Sequence, residues 1–434
     1  MLLFFLVIVL FKTLNIIIGN DISFIYSYER QKRNVYRPSL FKWNFRDTIN
    51  KWKNNNKMLN WKKKFNLANW RKKNSSTLNK EPSMPQITKV SSNLNLNKKR
   101  NSIIYYVDSK LRVENIQTAL SRIEKETCLK FTRTKDSKKT EIKYLPGRYF
   151  ETIFEKNLDN PFKIYVPSNS QHIGKIIRET MHALGVEYEH NRSDRNNFIS
   201  VIKRNILANY RKYFEMVKEK FNKKYSIPYD VRSIMHFASY EFAKGKHKVL
   251  NCKDKLMKES MGKSNYLTFN DARQLNEMYC SNPKIQYQSC YFHGYQNPKF
   301  PNKCKCLPFL SGNRCETFIS NSKRCTKHNV HFMNRRVEVY DFIMGPNCSF
   351  IIRGTPSKRI AVDIKFTDMK FKYTSLCSEA NSIEVKYKND LSISGALVCP
   401  NEKNFRVVSQ NNTIVIVGSN YKHETELSVV AIEV

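Results

Sequence analysis

Hydrophobic and polar positions change rhythm several times along the chain. Leu2 to Phe11 are apolar without a break, and Ile16 to Ile18 resume the run beyond Lys12. From residue 20 to about 100 no rhythm holds. Trp43, Trp52, Trp61 and Trp70 stand nine apart, a step that carries a helix half a turn and a strand to its other face. No face collects them, so this stretch predicts no core. From Ile103 the pattern becomes that of a folded domain. "IIYYVDSKLRVENIQTALSRIEKETCLKF" predicts a strand, an amphipathic helix with Ile116, Leu120, Ile123 and Leu129 near one face, and a return strand. A second helix is predicted from about His172 to Leu184, stopped by Gly185. "YLTFNDARQLNEMYC" predicts a third, with Thr268 and Asn270 as candidate caps and its end at Cys280. Beyond Cys315 apolar residues alternate in "HFMNRRVEVYDFIM", "RIAVDIKFTDMKF", "SIEVKYKN" and "TIVIVGSN". Period two, broken by turn residues, predicts an antiparallel β-sandwich.

Cysteine usage and charge refine this division. Eleven cysteines suit an oxidising compartment, and the odd count leaves one unpaired. Cys290, Cys304, Cys306 and Cys315 crowd into 26 residues, too few for a separate core, so disulfides must hold that stretch. The apolar start followed by Gly19 reads as a secretory signal peptide over residues 1–19. An uncleaved anchor is the alternative, but the run is short for a bilayer span. Asn74, Asn191, Asn347 and Asn411 head Asn-x-Ser/Thr acceptors, in keeping with a secreted, extracellular glycoprotein. Residues 20–100 read as a basic low-complexity pro-segment, with eleven Lys/Arg against Asp47 between Phe41 and Lys73. The net charge of +39 admits an anionic glycan or membrane surface as a partner, although a Lys-, Asn- and Ile-rich composition is the plainer account. No nucleic-acid module is present in the pattern, so nucleic acid is not an expected partner.

The chemistry-bearing stretch is "RETMHALGVEY", residues 178–188. Histidine in place of Arg178 and Tyr188 would complete H-E-x-x-H-x-x-G-x-x-H, in which imidazoles four apart on a helix grip zinc and a glutamate serves as base. His182 is the surviving ligand position, Glu179 the base position and Gly185 the turn. A guanidinium cannot coordinate a metal ion and repels it, and a phenol binds zinc poorly unless ionised. The longer run "RETMHALGVEYEHNRSDRNNF", followed by "YDVRSIMHFASYEF", resembles the astacin family of secreted zinc endopeptidases. Glu179, Met181, His182, Ala183, Gly185, Glu189, Arg192, Asp194, Arg195, Ser233, Met235 and His236 match its pattern, whereas Phe237 replaces the tyrosine of its Met-turn.

What the resemblance implies is an α+β astacin-like (metzincin) protease domain at 101–280, an EGF-like module at 281–316 and an all-β CUB-like sandwich at 322–434. It also implies the pairings Cys128–Cys280, Cys290–Cys304, Cys306–Cys315, Cys325–Cys348 and Cys377–Cys399. Cys252 is then left over, expected as a free or intermolecularly paired surface cysteine. Zinc is the metal the family uses, and with two of its three histidines replaced no cofactor is predicted. His190 and His236 are the remaining imidazoles near the motif, with structural or subsite roles implied. Arg178 is expected to hold Glu179, Glu189 or a substrate carboxylate. The expected function is that of an inactive homologue, a pseudoprotease binding a protein or peptide in its cleft. The alternative is an active zinc endopeptidase with Glu179 as base and non-standard ligands.

Overall fold

A computed structural model describes residues 101–434, apart from 155–161, 171, 218–225, 282–288, 301, 369–378, 401–403 and 419–423. The predicted signal peptide, the basic pro-segment and Asn74 lie outside these residues.

The first region builds a five-stranded sheet from β1 (Ser102–Val107), β2 (Lys130–Arg133), β3 (Ile142–Pro146), β4 (Glu151–Ile153) and β5 (Phe162–Val166), in the order β2-β1-β3-β5-β4. Strand β2 returns parallel to β1, and only β4 runs antiparallel to its neighbour. A parallel return needs a crossover, which helix α1 (Val113–Glu126) supplies. Its Ile116, Ala119, Leu120 and Ile123 are buried, as the periodicity predicts. Leu129 is buried as well, but beyond the helix end. Helix α2 (Ile173–Ala183) packs on α1 and on the sheet. Gly185 ends it at a φ of 85°, a left-handed conformation that costs glycine little. Helix α3 (Phe269–Tyr279) closes the region. Thr268 and Asp271 form a reciprocal capping box at its start, so Thr268 is the cap and Asn270 lies inside the helix. The Cys128–Cys280 bridge ties the end of α3 to the turn after α1. A short ladder joins β6 (Ile199–Val201) to β7 (Leu250–Cys252).

Residues 289–319 carry two small hairpins, β8 (Tyr295–Gln296) with β9 (Cys304–Lys305) and β10 (Leu310–Ser311) with β11 (Thr317–Phe318). Cys290–Cys304 and Cys306–Cys315 cross-link them. The bridges are not alone in holding this module: Leu307, Phe309 and Leu310 share a buried cluster with Ile351, Val415 and Val417 of the following region.

That region is a sandwich of two sheets. One orders β12 (Val330–Phe332), β14 (Ser349–Arg353), β19 (Thr413–Val417), β16 (Ile383–Lys386) and β17 (Ala396–Val398); the other orders β13 (Val337–Met344), β20 (Thr425–Glu433), β15 (Ile360–Asp368) and β18 (Phe405–Val408). All pairings are antiparallel except β12 with β14. Phe342 and Phe350 stack at 4.0 Å between the sheets. Cys325–Cys348 is formed. Cys399 is disulfide-bonded, while Cys377, its expected partner, lies outside the described residues.

The sandwich docks on the first region through buried polar contacts. Arg232 donates to Glu379 and to the Gly395 carbonyl, each at 3.1 Å, and Asp230 accepts from the Ser394 backbone at 2.9 Å. A one-sided loss here would leave a buried charge unpaired.

Candidate functional site

Helix α2 carries Arg178, Glu179 and His182 on adjoining faces, and the turn at Gly185 brings Tyr188 back against them. The Arg178 side chain is almost fully buried. Its Nε donates to Glu179 Oε1 at 3.0 Å and its Nη2 to Glu241 Oε1 at 3.1 Å, while the guanidinium lies 4.6 Å over the Phe237 ring. Lys175 reaches the same Glu241 oxygen at 2.9 Å. Burial pushes the Glu241 carboxyl up, but Arg178 and Lys175 outweigh it and hold it at about 2.

Glu179 is wholly buried and accepts from every side. Besides Arg178 on Oε1, Thr152 Oγ1 at 2.9 Å and the Tyr188 hydroxyl at 2.8 Å both donate to Oε2. Burial and the neighbouring Glu179 push Tyr188 well above the usual phenol range, so it keeps its proton and acts as donor. His182 Nδ1 lies 3.0 Å from the Val186 carbonyl, which can only accept. Nδ1 therefore donates, and Nε2 is the nitrogen not used in that bond. The ring stacks on Tyr188 at 4.1 Å and meets Phe154 edge-on at 4.9 Å. Phe237 fills the space below, 4.8 Å from Tyr188 and 4.0 Å from His190. Among the described residues, no three His, Cys, Asp or Glu side chains are grouped to hold a metal ion.

Residues 91–280 match the family model for astacin, a family of peptidases. The region is thus astacin-like. Among similar proteins, the zinc metalloproteinase nas-34 of Caenorhabditis elegans is 24% identical over 319 residues, covering 72% of this chain and 52% of that protein. The zinc metalloproteinase nas-36 of Brugia malayi is 26% identical over 321 residues, covering 71% and 54%. The chain thus spans about half the length of the curated relatives it matches. Among solved structures, the hatching enzyme zinc-protease HCE-1 of Oryzias latipes aligns at 22% identity with a TM-score of 0.36, over 42% of this chain and 90% of that one.

Most positions that match the astacin pattern outside the ligands are buried, and the charged ones are bonded to one another or to the backbone. Arg192 pairs with Asp194 through Nε at 2.9 Å and Nη2 at 2.8 Å, and donates to Glu189 at 3.2 Å. Glu189 also accepts from the Asp230 backbone at 2.9 Å, so Arg178 does not hold it, contrary to one expectation. Glu241 takes that place, and a solvent-borne carboxylate cannot reach so enclosed a guanidinium. The Met-turn is fixed by Asp271, which accepts from Ser233 Oγ at 2.6 Å and from the Ile234 backbone at 2.9 Å. Thr152, Glu241 and Asp271 were not singled out in the sequence. Glu241 alone offered a signal, as the one acid in the basic run 240–248.

His190 and His236 are buried with both nitrogens engaged. His190 Nε2 donates to the Tyr213 carbonyl at 2.9 Å, and Nδ1 accepts from the Phe237 backbone at 3.4 Å. In His236 the tautomer is reversed: Nδ1 donates to the Phe237 carbonyl at 2.7 Å, and Nε2 accepts from the Tyr229 hydroxyl at 2.9 Å. Burial keeps His236 neutral and lowers its pKa to about 4. A depressed pKa gives stability that is complete above the unfolded value near 6.5 and is lost as pH falls through 4, by roughly 3 kcal/mol in all. Urea midpoints of the wild type and of His236→Gln should therefore converge on acidification through that window. A constant gap would show that His236 does not titrate in this way.

Two expectations are corrected. Cys252 is buried in the astacin-like domain core rather than on the surface, and burial raises its thiol pKa. Asn191 is buried, so the folded domain has no room for a glycan there, whereas Asn347 is exposed in a turn with a φ of 59°.

Proposed function

We propose that the chain is a pseudoprotease: an astacin homologue that keeps the scaffold of the cleft and binds a protein or peptide without cleaving it. The observation that carries this reading is the closed ion-paired set of Arg178 with Glu179 and Glu241. The donor set at the motif does not fit zinc. Arg178 brings a permanent positive charge, and the Tyr188 hydroxyl is spent as a donor to Glu179. His182 alone leaves a ring nitrogen for a metal, against the three protein ligands that catalytic zinc sites use. Glu179 is wholly buried with three donors on its carboxylate, so it is not open to a water to be activated.

The cysteine pairings and the hairpins support an EGF-like reading of 281–316, and the two packed sheets a CUB-like reading of 322–434. The disulfides are in keeping with secretion. The test is zinc content by elemental analysis of the full chain, purified without chelator, alongside casein cleavage. We expect trace zinc and no cleavage. Near-stoichiometric zinc with cleavage abolished by a chelator would overturn the proposal in favour of an active endopeptidase.

A further inference from the structure

Next to the Arg178–Glu241 pair, two basic segments separated in sequence are knitted together. The Lys244 backbone donates to the Asn205 carbonyl at 2.8 Å, Leu207 to the Phe242 carbonyl at 3.0 Å, and Asn205 Nδ2 to the Lys248 carbonyl at 2.7 Å. The two adjoining segments carry exposed Lys203, Arg204, Arg211, Lys244 and Lys246 and half-buried Lys248. Acids are missing from both segments. Residues 203–214 contain none, and residues 240–249 contain only Glu241, which is taken up by Arg178 and Lys175. Cations held together repel one another; with Glu241 turned inward, the acid that meets these segments is Glu151, 3.8 Å from Lys212, and a bound polyanion would offset the remaining cations. Gly245, at a φ of 62°, turns the loop where an added Cβ would meet nothing within 4 Å, so its tip stands open.

Aromatic rings lie among the cations. Tyr210 stacks on Phe242 at 4.4 Å, with Tyr149 at 5.2 Å from Tyr210. Arg148 lies 5.4 Å over Tyr149, and Lys248 is 5.6 Å over Tyr240, which is 52% exposed. Phe242 adopts a φ of 55°, a strained conformation for a bulky residue. Flat rings between fixed cations suit a sugar chain, whose ring faces stack while its sulfates pair with Lys and Arg. Disulfide bridges place the folded chain in an oxidising compartment, where the abundant linear polyanions are sulfated glycans rather than nucleic acids.

We propose that the basic edge these segments form is a binding site for a linear sulfated glycan. A heparin octasaccharide is the probe, titrated against the full chain over a salt series. Because residues 41–73 are also basic, two variants with equal charge change are compared. One carries Lys203→Gln, Arg204→Gln, Lys244→Gln and Lys246→Gln; the other carries Lys51→Gln, Lys53→Gln, Lys62→Gln and Lys63→Gln. The first should weaken binding on the order of a hundredfold at physiological salt and make the slope of log affinity against log salt shallower by roughly 3, somewhat under one increment for each of the four cations lost. The second should leave both nearly unchanged. Equal losses in the two variants would overturn the assignment, as would tighter binding of single-stranded DNA of the same charge at the same ionic strength. Lysine acetylation of the wild-type chain gives a readout independent of mutation: bound octasaccharide should protect Lys203, Lys244 and Lys246, and unchanged reactivity there would refute the site.

Discussion

Replacing Arg178 with alanine should destabilise the astacin-like domain by about 3–5 kcal/mol, the cost of leaving buried charges without their partner. Both carboxylates lose the guanidinium, Glu179 wholly buried and Glu241 nearly so. Lys175 is more exposed and remains for Glu241, but nothing cationic remains for Glu179. For a domain of this size the loss corresponds to a fall in Tm of roughly 10 °C. Arg178→Lys should recover only part of it, because an ammonium lacks the planar fork that serves two carboxylates in different directions. Combining Arg178→Ala with Glu241→Gln should recover more than either change predicts separately, since the second removes the stranded charge. Additive losses in that double-mutant cycle would refute the coupled pair.

The second large effect concerns the Cys128–Cys280 bridge. It closes a loop with a sequence separation of 152, against 9 for Cys306–Cys315. In the chain-entropy account the longer loop contributes about 5 kcal/mol and the shorter about 2–3 kcal/mol. Paired Cys→Ser replacement at 128 and 280 should therefore lower the denaturant midpoint about twice as far as the same change at 306 and 315. The small module also leans on the sandwich through Leu307, Phe309 and Leu310, which narrows its dependence on its own bridges. Equal shifts would mean that native-state packing, rather than loop closure, sets the contribution of each bridge.

Electrostatically, the motif region and the basic edge share a logic but end differently. At the motif, the buried charges of Arg178, Glu179 and Glu241 have found partners within the chain. At the edge, cations outnumber acids: Glu151 meets Lys212, and the one acid of the two segments, Glu241, faces away from the rest. Glu241 connects the two, being the acid of the basic loop and turned inward to Arg178. Its neutralising role in the cleft is what leaves the loop outside it uniformly positive.

The sequence by itself determined the local elements and the motif. Residues on one helical face recur every three or four positions, so the buried set on α1 and the Gly185 stop of α2 were legible before any coordinates. Four of the cysteine pairings implied by the resemblance were readable for a similar reason, since a bridge couples positions that can be matched to a pattern. The meaning of Arg178 was only half legible. Its charge said what it could not bind, but its partner Glu241 lies 63 residues away and had no signal that tied it to the helix. Cys252, placed on the surface by base rate, lies inside the core, and β19 is buried at every position where alternation had predicted two faces. Burial and the pairing of charges depend on which atoms come within a few ångströms across the folded chain. Those distances are set by how helices, sheet and sandwich pack together, and no local pattern of residues encodes them.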